Sequence, residues 1–450
     1  MDNYVLRKKR KLTPPPDEPQ TVAKTCPSFY VAPGSEDDST DLKLGTLASL
    51  FPDIDQTALL DMLIGFEGSV EQVCDVLSSS SSAILSPRRN GVGHQTSLAA
   101  SFKQVREGDS LSSMPQKKAK TRKGQTLHLY SPADIEAHTP CSIIHNFLPA
   151  QVADELLKEL LEEAPSFERQ TFKMFDNVVQ SPHSACFYVE NLQERERQQT
   201  EYLYNGSFLT DIRQITPQMR KVSGPVQTAV NDEVARRIQQ HYPGGRKLKY
   251  QSPKDWIPNA AFVNCYKGGS ESVGYHCDQL TYLGPRAIIG SLSLGVAREF
   301  RVRKIVARDE SAVDGKPMTR PGNERADAEG QIAIHLPHNS LLVMHAEMQE
   351  EWKHSIHPAP VIDPHPIAGN KRINITYRHY RENFHPRYTP RCRCDVPTVL
   401  RCAQRKTENR GRYMWMCHAG LTPGKEGCTF FQWAEFDDDG EPPWAKATPD

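Results

Sequence analysis

Asn264-Cys-Tyr-Lys-Gly-Gly-Ser-Glu-Ser-Val-Gly-Tyr-His-Cys-Asp278 is the stretch on which the reading of this chain turns. His276 and Asp278 flank one residue, so on an extended strand their side chains fall on the same face. The stretch is answered downstream by His354 and by Arg372-Ile-Asn-Ile-Thr-Tyr-Arg378. Two ligands from one strand and a histidine from another make a 2-His-1-carboxylate set, which leaves positions open on ferrous iron for a co-substrate and O2. A lone His-X-Asp among sixteen histidines can arise by chance, so the second segment carries the weight. In it Arg372, Asn374, Thr376 and Arg378 alternate with Ile373, Ile375 and Tyr377, a period of two that sets four polar groups on one face. Two arginines on an inward face need anions, because a buried unpaired guanidinium is costly. A dicarboxylate co-substrate and the metal-binding carboxylate would supply them, which makes oxygenase chemistry the first expectation.

These residues resemble the AlkB family of 2-oxoglutarate- and Fe(II)-dependent dioxygenases. The Asn-X-Tyr pair (Asn264, Tyr266), His276-X-Asp278, Trp352-Lys-His354-Ser355 and the Arg-X-Asn-X-Thr-X-Arg strand stand in that family's order, as does Ser291-Leu-Ser-Leu-Gly295 followed by Arg298 and Phe300. The resemblance covers residues 125 to 386 and implies a double-stranded β-helix, or jelly roll, with helices outside. It implies Fe(II) on His276, Asp278 and His354, and 2-oxoglutarate held through its distal carboxylate by Arg372 with help from Tyr266. Arg378 would lie near the proximal carboxylate and Asp278, with Asn264 and Asn374 bonding nearby; Thr376 is either a co-substrate contact or strand packing. Arginine at both ends suits planar, bidentate pairing. The implied reaction hydroxylates an N-methyl group at the expense of O2, and the hemiaminal then collapses to formaldehyde and the repaired base.

Substrate is less determined than cofactor. Relatives that repair methylated bases often carry an acidic residue two positions beyond the metal aspartate, where this chain has Leu280. DNA, RNA and protein methyl-lysine therefore stay open as substrates, and an inactive ubiquitin- and DNA-binding adaptor is the non-enzyme alternative. A base in a duplex must be flipped out, which an apolar wedge assists. Met174-Phe175-Asp176 lies where duplex-acting relatives carry a hydrophobic finger, so Phe175 is either that wedge or a core residue.

At 450 residues, with 55 basic and 55 acidic side chains, the chain is long enough for several domains and has no global field. No apolar run approaches a membrane span and no apolar leader is present, so no membrane partner is expected. Eleven cysteines without a secretory leader argue for thiols or metal ligands rather than disulfides.

Residues 1 to 40 read as a disordered arm, in which the basic cluster Arg7-Lys-Lys-Arg-Lys11 has the form of a nuclear import signal. Tyr4-Val-Leu-Arg7 resembles the short motif that docks proteins on the replication sliding clamp. Residues 41 to 80 show apolar positions at helical spacing in three short runs and resemble the ubiquitin-binding CUE domain, whose surface patch would comprise Phe51, Pro52, Leu59 and Leu60. Leu59 and Leu60 are neighbours, so they cannot both face a core. Residues 81 to 124 read as a flexible linker.

Residues 387 to 436 resemble a GRF zinc finger: Cys392-Arg-Cys394, Asn409-Arg-Gly-Arg412-Tyr413, Cys417 and Cys428-Thr-Phe430-Phe431-Gln-Trp433. Cys392, Cys394, Cys417 and Cys428 would satisfy tetrahedral Zn(II), with Cys402 a packed thiol and His418 the weaker alternative to Cys417. Arg412 with the rings of Tyr413, Phe430, Phe431 and Trp433 supplies cations and stacking surfaces for single-stranded DNA, which that family binds. An acidic tail, residues 437 to 450, closes the chain.

Overall fold

The computed structural model describes residues 126–174, 177–204, 207–307, 330–422 and 425–446, together with scattered positions between Leu47 and Val76. Its strands in chain order are β1 (Thr126–Leu129), β2 (Cys141–His145), β3 (Ser184–Val189), β4 (Ile212–Gln214), β5 (Ala260–Lys267), β6 (Val273–His276), β7 (Ile289–Gly295), β8 (Arg298–Lys304), β9 (Gln331–Leu336), β10 (Ser340–Met344), β11 (Trp352–Ile356) and β12 (Lys371–Arg378), with two short antiparallel pairs, Thr171–Met174 with Asn177–Gln180 and Leu203–Tyr204 with Ser207–Phe208. The larger sheet runs β2-β10-β7-β12-β5-β3-β4 and the smaller runs β1-β9-β8-β11-β6. Ile143, Ile289 and Leu342 of the first share one apolar cluster with Phe300, Val302 and Ile334 of the second. The two sheets therefore face each other over a common core, a mainly β arrangement consistent with the jelly roll expected from the sequence.

The outer face of the larger sheet is covered by α1 (Ala150–Glu163) and α2 (Pro217–His241). Leu156, Leu157 and Leu160 of α1 and Met219, Val222, Val226 and Val230 of α2 pack on Val263, Leu292, Ile373 and Ile375. The spacings 156, 157, 160 and 219, 222, 226, 230 are helical, and they place one stripe of each helix inward. Gly290 lets α2 approach, since a Cβ there would meet Val230 Cγ2 at 3.1 Å. The alternation expected for β12 follows directly: Ile373, Ile375 and Tyr377 join the helix-side core, while the residues between them face the interior of the sandwich.

A third sheet forms from β13 (Val399–Cys402), β14 (Tyr413–Met416) and β15 (Phe431–Trp433). It is fused to the sandwich, because Leu400, Tyr413 and Trp415 belong to the same cluster as Ile289 and Trp352. The segment read as an acidic tail also folds back. Glu441 pairs with Arg381 (2.9 Å) and Lys254 (3.1 Å), Asp439 pairs with Lys247 (2.9 Å), and Trp444 Nε1 donates to the Asn383 carbonyl (2.8 Å). The acidic residues that sequence alone presents as a solvated run thus have basic partners on the sandwich.

Toward the N-terminus, Leu47, Leu59, Leu63 and Val73 form a small core of their own. Leu59 is fully buried, which corrects its expected place in a surface patch: it fills this small core. Phe51, Pro52 and Leu60 lie outside the described residues, as do the basic arm, the clamp-like motif, the linker and Phe175. Among the described residues no helix is long and apolar enough to cross a membrane.

Candidate functional site

β6 and β11 pair antiparallel with His276 directly opposite His354. Residues opposite one another on neighbouring strands project to the same face, so two histidines distant in sequence become neighbours, with ring centroids 4.2 Å apart. Asp278 completes the group. Its Oδ1 lies 3.6 Å from His276 Nε2 and 3.7 Å from His354 Nε2. The ligand atoms of all three lie within 4.8 Å of one another, as a single ion bound on one side would require. His276 Nδ1 faces the Gly274 carbonyl at 2.8 Å; a proton there fixes the tautomer and leaves Nε2 with its lone pair toward the centre.

The remaining Asp278 oxygen, Oδ2, accepts two N–H bonds from Arg378, from Nε at 3.1 Å and Nη2 at 2.7 Å. Burial alone would raise the carboxyl, yet the Arg378 charge, with His276 and His354, holds it well below the usual carboxylate range. The imidazole of His354 is pushed down to about 3, by burial first and His276 second. Both ligands are therefore in the deprotonated form that binds a cation at neutral pH.

Beside this triad lies a polar floor set by strand register. On β12, Arg372 stands opposite Tyr266 of β5 and Gly295 of β7, and Asn374 stands opposite Asn264 and Ser293. Asn374 Nδ2 donates to Ser291 Oγ (2.8 Å), Asn374 Oδ1 accepts from Thr376 Oγ1 (2.9 Å), and Asn264 Nδ2 reaches it at 3.4 Å. Thr376 therefore bonds to its strand neighbour and supports the floor. Arg372 is 1 % exposed, and its Nη2 donates to Ser293 Oγ at 2.8 Å. Its Nε and Nη1 have no hydrogen-bond partner among the described residues, and its carbon Cζ sits 5.3 Å from the centre of the Tyr266 ring. Burial lowers this guanidinium to about 10, the signature of a cation without its anion. A buried guanidinium with two orphaned donors is what a carboxylate ligand satisfies.

Residues beyond the sequence reading also line the site. His183 stacks on Tyr266 at 4.7 Å, bonds Asn264 Oδ1 at 3.1 Å, and is depressed to about 4 by burial. Arg298, noted only as a motif position, clamps the loop before β6: it donates to the carbonyls of Gly268, Glu271 and His357 at 3.0, 2.6 and 2.8 Å. Gln349 Oε1 accepts the Asp278 N–H at 2.7 Å. The Ser291-X-Ser293 alternation carried a signal for the bonds to Asn374 and Arg372; His183 and Gln349 carry none, since only the fold brings them in.

Leu280 is 3 % exposed and belongs to the main apolar cluster, so the position two beyond Asp278 is a packing position here.

In the segments flanking the third sheet's strands, Cys392, Cys394, Cys417 and Cys428 bring their sulfurs within 4.8 Å of one another. Cys417 Sγ accepts the N–H groups of Ala419 and Cys428, both at 3.4 Å, bonds that oppose the rise that burial gives its thiol. Cys402 lies apart, packed against the main cluster, and His418 Nε2 is taken by the Pro397 carbonyl at 2.9 Å. Of the expected stacking residues, Phe431 is 48 % exposed and Arg412 lies 3.8 Å over the ring of Trp433. Tyr413 corrects the expectation: it is buried, and its hydroxyl donates to Glu350 Oε1 at 2.9 Å, so its face is unavailable to a base. Phe430 is likewise partly packed against the main cluster.

Comparison with known proteins gives a match over residues 140–378 to the family model described as the 2OG-Fe(II) oxygenase superfamily, just over half of the 450 residues. The chain is 34% identical over 124 residues to DNA oxidative demethylase ALKBH2 of Arabidopsis thaliana, covering 27% of this chain and 37% of that protein. It is 31% identical over 120 residues to alpha-ketoglutarate-dependent dioxygenase alkB homolog 3 of Homo sapiens, covering 27% and 36%. It is 30% identical over 145 residues to DNA oxidative demethylase ALKBH2 of Homo sapiens, covering 28% and 48%. The matches thus span between 36% and 48% of these relatives' own lengths.

Proposed function

Because the chain belongs to the 2OG-Fe(II) oxygenase superfamily, we propose that it removes methyl groups oxidatively from N-alkylated bases in DNA. The observation that carries this reading is the conjunction of the His276, Asp278 and His354 ligand set with the orphaned donors of Arg372 on the adjoining floor. A metal alone would not need the guanidinium, and an anion site alone would not need the triad. The names of the relatives, DNA oxidative demethylases among them, support DNA as the substrate.

His276 Nε2, His354 Nε2 and Asp278 Oδ1 would hold Fe(II), and Arg372, over Tyr266, would take the distal carboxylate of 2-oxoglutarate. When bound, iron and 2-oxoglutarate with O2 supply an oxidant that places one oxygen atom on the N-methyl carbon and the other in succinate, with release of CO2. The hydroxymethyl amine then loses formaldehyde and returns N–H to the base. Arg378 keeps Asp278 ionised and aims Oδ1 at the histidines, and the Gly274 carbonyl holds His276 in the ligating tautomer. Asn264, Asn374 and Ser291 keep the floor polar but internally satisfied, so among the described residues the free guanidinium donors here are Arg372 Nε and Nη1, with Arg378 Nη1 beside Asp278.

In the same reading the four-cysteine cluster holds Zn(II) and the surface around Arg412, Phe431 and Trp433 takes single-stranded DNA. The helical unit around Leu59 and Leu63 binds ubiquitin, and the basic arm directs the protein to the nucleus and toward the sliding clamp. The exposed Phe431 ring and Arg412 over the half-buried ring of Trp433 support the DNA contact. The buried Leu280 supports no acidic selection of a cationic lesion, which leaves RNA and methylated protein as the competing substrates. Incubation with Fe(II), 2-oxoglutarate and N-methylated DNA, RNA or histone peptide decides among them. Methyl loss from DNA is expected; loss from RNA or peptide alone would move the assignment, and absence of succinate with every substrate would end it.

A further inference from the structure

The third sheet is bonded to the segments that carry the metal ligands. Gln404, in the turn after β13, donates from Nε2 to the carbonyls of Gln349 (3.3 Å) and Glu350 (3.4 Å), and the same nitrogen lies 3.7 Å from Cys277 Sγ. Cys277 stands between His276 and Asp278, and its own Sγ reaches the Trp352 carbonyl at 3.3 Å, on the strand that bears His354. Gln349 is 1 % exposed, and its Oε1 accepts the backbone N–H of Asp278. Tyr413 donates to buried Glu350 Oε1, which also accepts the Arg286 N–H at 2.7 Å. Leu400 N–H donates to Thr281 Oγ1 at 3.3 Å, three residues past Asp278.

These contacts have a physical consequence. Asp278 lies two residues past the end of β6, where among the described residues no ladder hydrogen bond holds its backbone, and Arg378 restrains only one carboxylate oxygen. The direction of the Cα–Cβ bond is then set by the N–H bond to Gln349, and Gln349 is held by the short helix α3 (Met348–Glu351), against which Gln404 and Tyr413 are bonded. Outer partners of metal ligands typically change metal affinity by about 10- to 100-fold when removed.

We propose that the C-terminal cysteine module is a positioning element of the metal centre, acting through Gln349 on Asp278. The proposal rests on the reading of His276, Asp278 and His354 as a metal triad. Gln349, Gln404 and Tyr413 are positioning residues: none touches the ion or the co-substrate floor.

The test is a Co(II) titration of the full-length, iron-free protein followed by visible absorption, with Asp278→Ala as the blank that removes the triad signal and leaves that of the cysteine cluster. Gln349→Leu is expected to weaken Co(II) binding at the triad by about tenfold or more. The double variant Gln404→Ala/Tyr413→Phe, which leaves the interior of the sandwich intact, is expected to weaken it severalfold. In both, the affinity of the metal-loaded protein for 2-oxoglutarate stays at the wild-type value, because Arg372 is held by Ser293 on the far side of the floor; a general loss of structure would lower both. If wild type and Asp278→Ala give the same titration, the triad reading itself fails. If wild type binds Co(II) at the triad and both variants bind it equally tightly, the triad stands and the positioning role is overturned.

Discussion

Arg378 donates two N–H groups to a single oxygen of Asp278, Oδ2, and so leaves Oδ1 facing His276 and His354. One arginine thereby does two things: it neutralises a buried carboxylate and it decides which oxygen meets a metal. Removing one partner of a buried ion pair costs about 3–5 kcal/mol, because the other charge is left uncompensated. Arg378→Met is therefore expected to lower the unfolding free energy of the metal-free protein by that order in urea titrations, and to weaken Co(II) binding at the triad by about tenfold or more.

Arg372 predicts the opposite sign. Its guanidinium is buried with two donors unbonded, so it destabilises the protein until a carboxylate arrives. Leaving such polar atoms unsatisfied costs about 1–3 kcal/mol. Arg372→Met should raise the thermal midpoint of the protein in the absence of 2-oxoglutarate while weakening 2-oxoglutarate binding by about 100-fold, the loss of roughly two charge-assisted bonds. Thermal scans with and without 2-oxoglutarate check both halves, since wild type alone should gain stability from the ligand.

Why this much could be read from the chain is itself physical. The alternation in Arg372–Arg378 and the one-residue gap in His276-X-Asp278 are period-two signals, and a strand preserves them faithfully: Arg372, Asn374, Thr376 and Arg378 face the interior, Ile373, Ile375 and Tyr377 the helices. Helix α1 was legible by the same logic, from the leucine stripe 156, 157, 160. Helix α2 has an equivalent stripe at Met219, Val222, Val226 and Val230, but Gly224 and Pro225 interrupt it and argue locally against a helix. What sequence could not show is which side chains of the third sheet are used up in docking. Tyr413 and Phe431 look alike in a list of aromatics; one is bonded to Glu350 inside the protein and the other is half exposed.

That difference is measurable. Stacking of a base on an exposed ring is worth about 1–3 kcal/mol, so Phe431→Ala should weaken binding to a single-stranded oligonucleotide by roughly 5- to 150-fold in fluorescence anisotropy. Tyr413→Phe, which keeps the ring and removes only an internal hydroxyl, should leave that affinity unchanged.

Glu350 supplies a pH dependence. Burial raises its carboxyl above the ordinary 4.5, against the opposing charge of Arg286. A carboxyl raised in the folded state binds its proton more tightly there than in the unfolded chain. Its contribution is fully present below about 4.5 and is lost as pH rises through the folded-state value. Glu350→Gln keeps an acceptor for Tyr413 and Arg286 without the charge. The thermal midpoint of the variant relative to wild type should therefore rise as pH is taken from 4.5 to 7.

Leu280 predicts a failure. Because it lies in the core cluster, Leu280→Asp would bury an unpaired carboxylate and destabilise the fold by about 3 kcal/mol or more without creating selectivity for a cationic base. Urea unfolding and competition between charged and neutral N-methylated oligonucleotides would show the two effects.

The central claim is that the triad and the Arg372 floor act together on N-methylated DNA. The most direct measurement follows formaldehyde, succinate and base mass in one reaction containing the full-length protein, Fe(II), 2-oxoglutarate, O2 and a single-stranded oligonucleotide bearing one N-methylated base. Formaldehyde and unmodified base should appear in equal amounts, with at least one succinate for each, and all three should vanish with Asp278→Ala. Succinate formed without any loss of methyl from DNA would contradict the account.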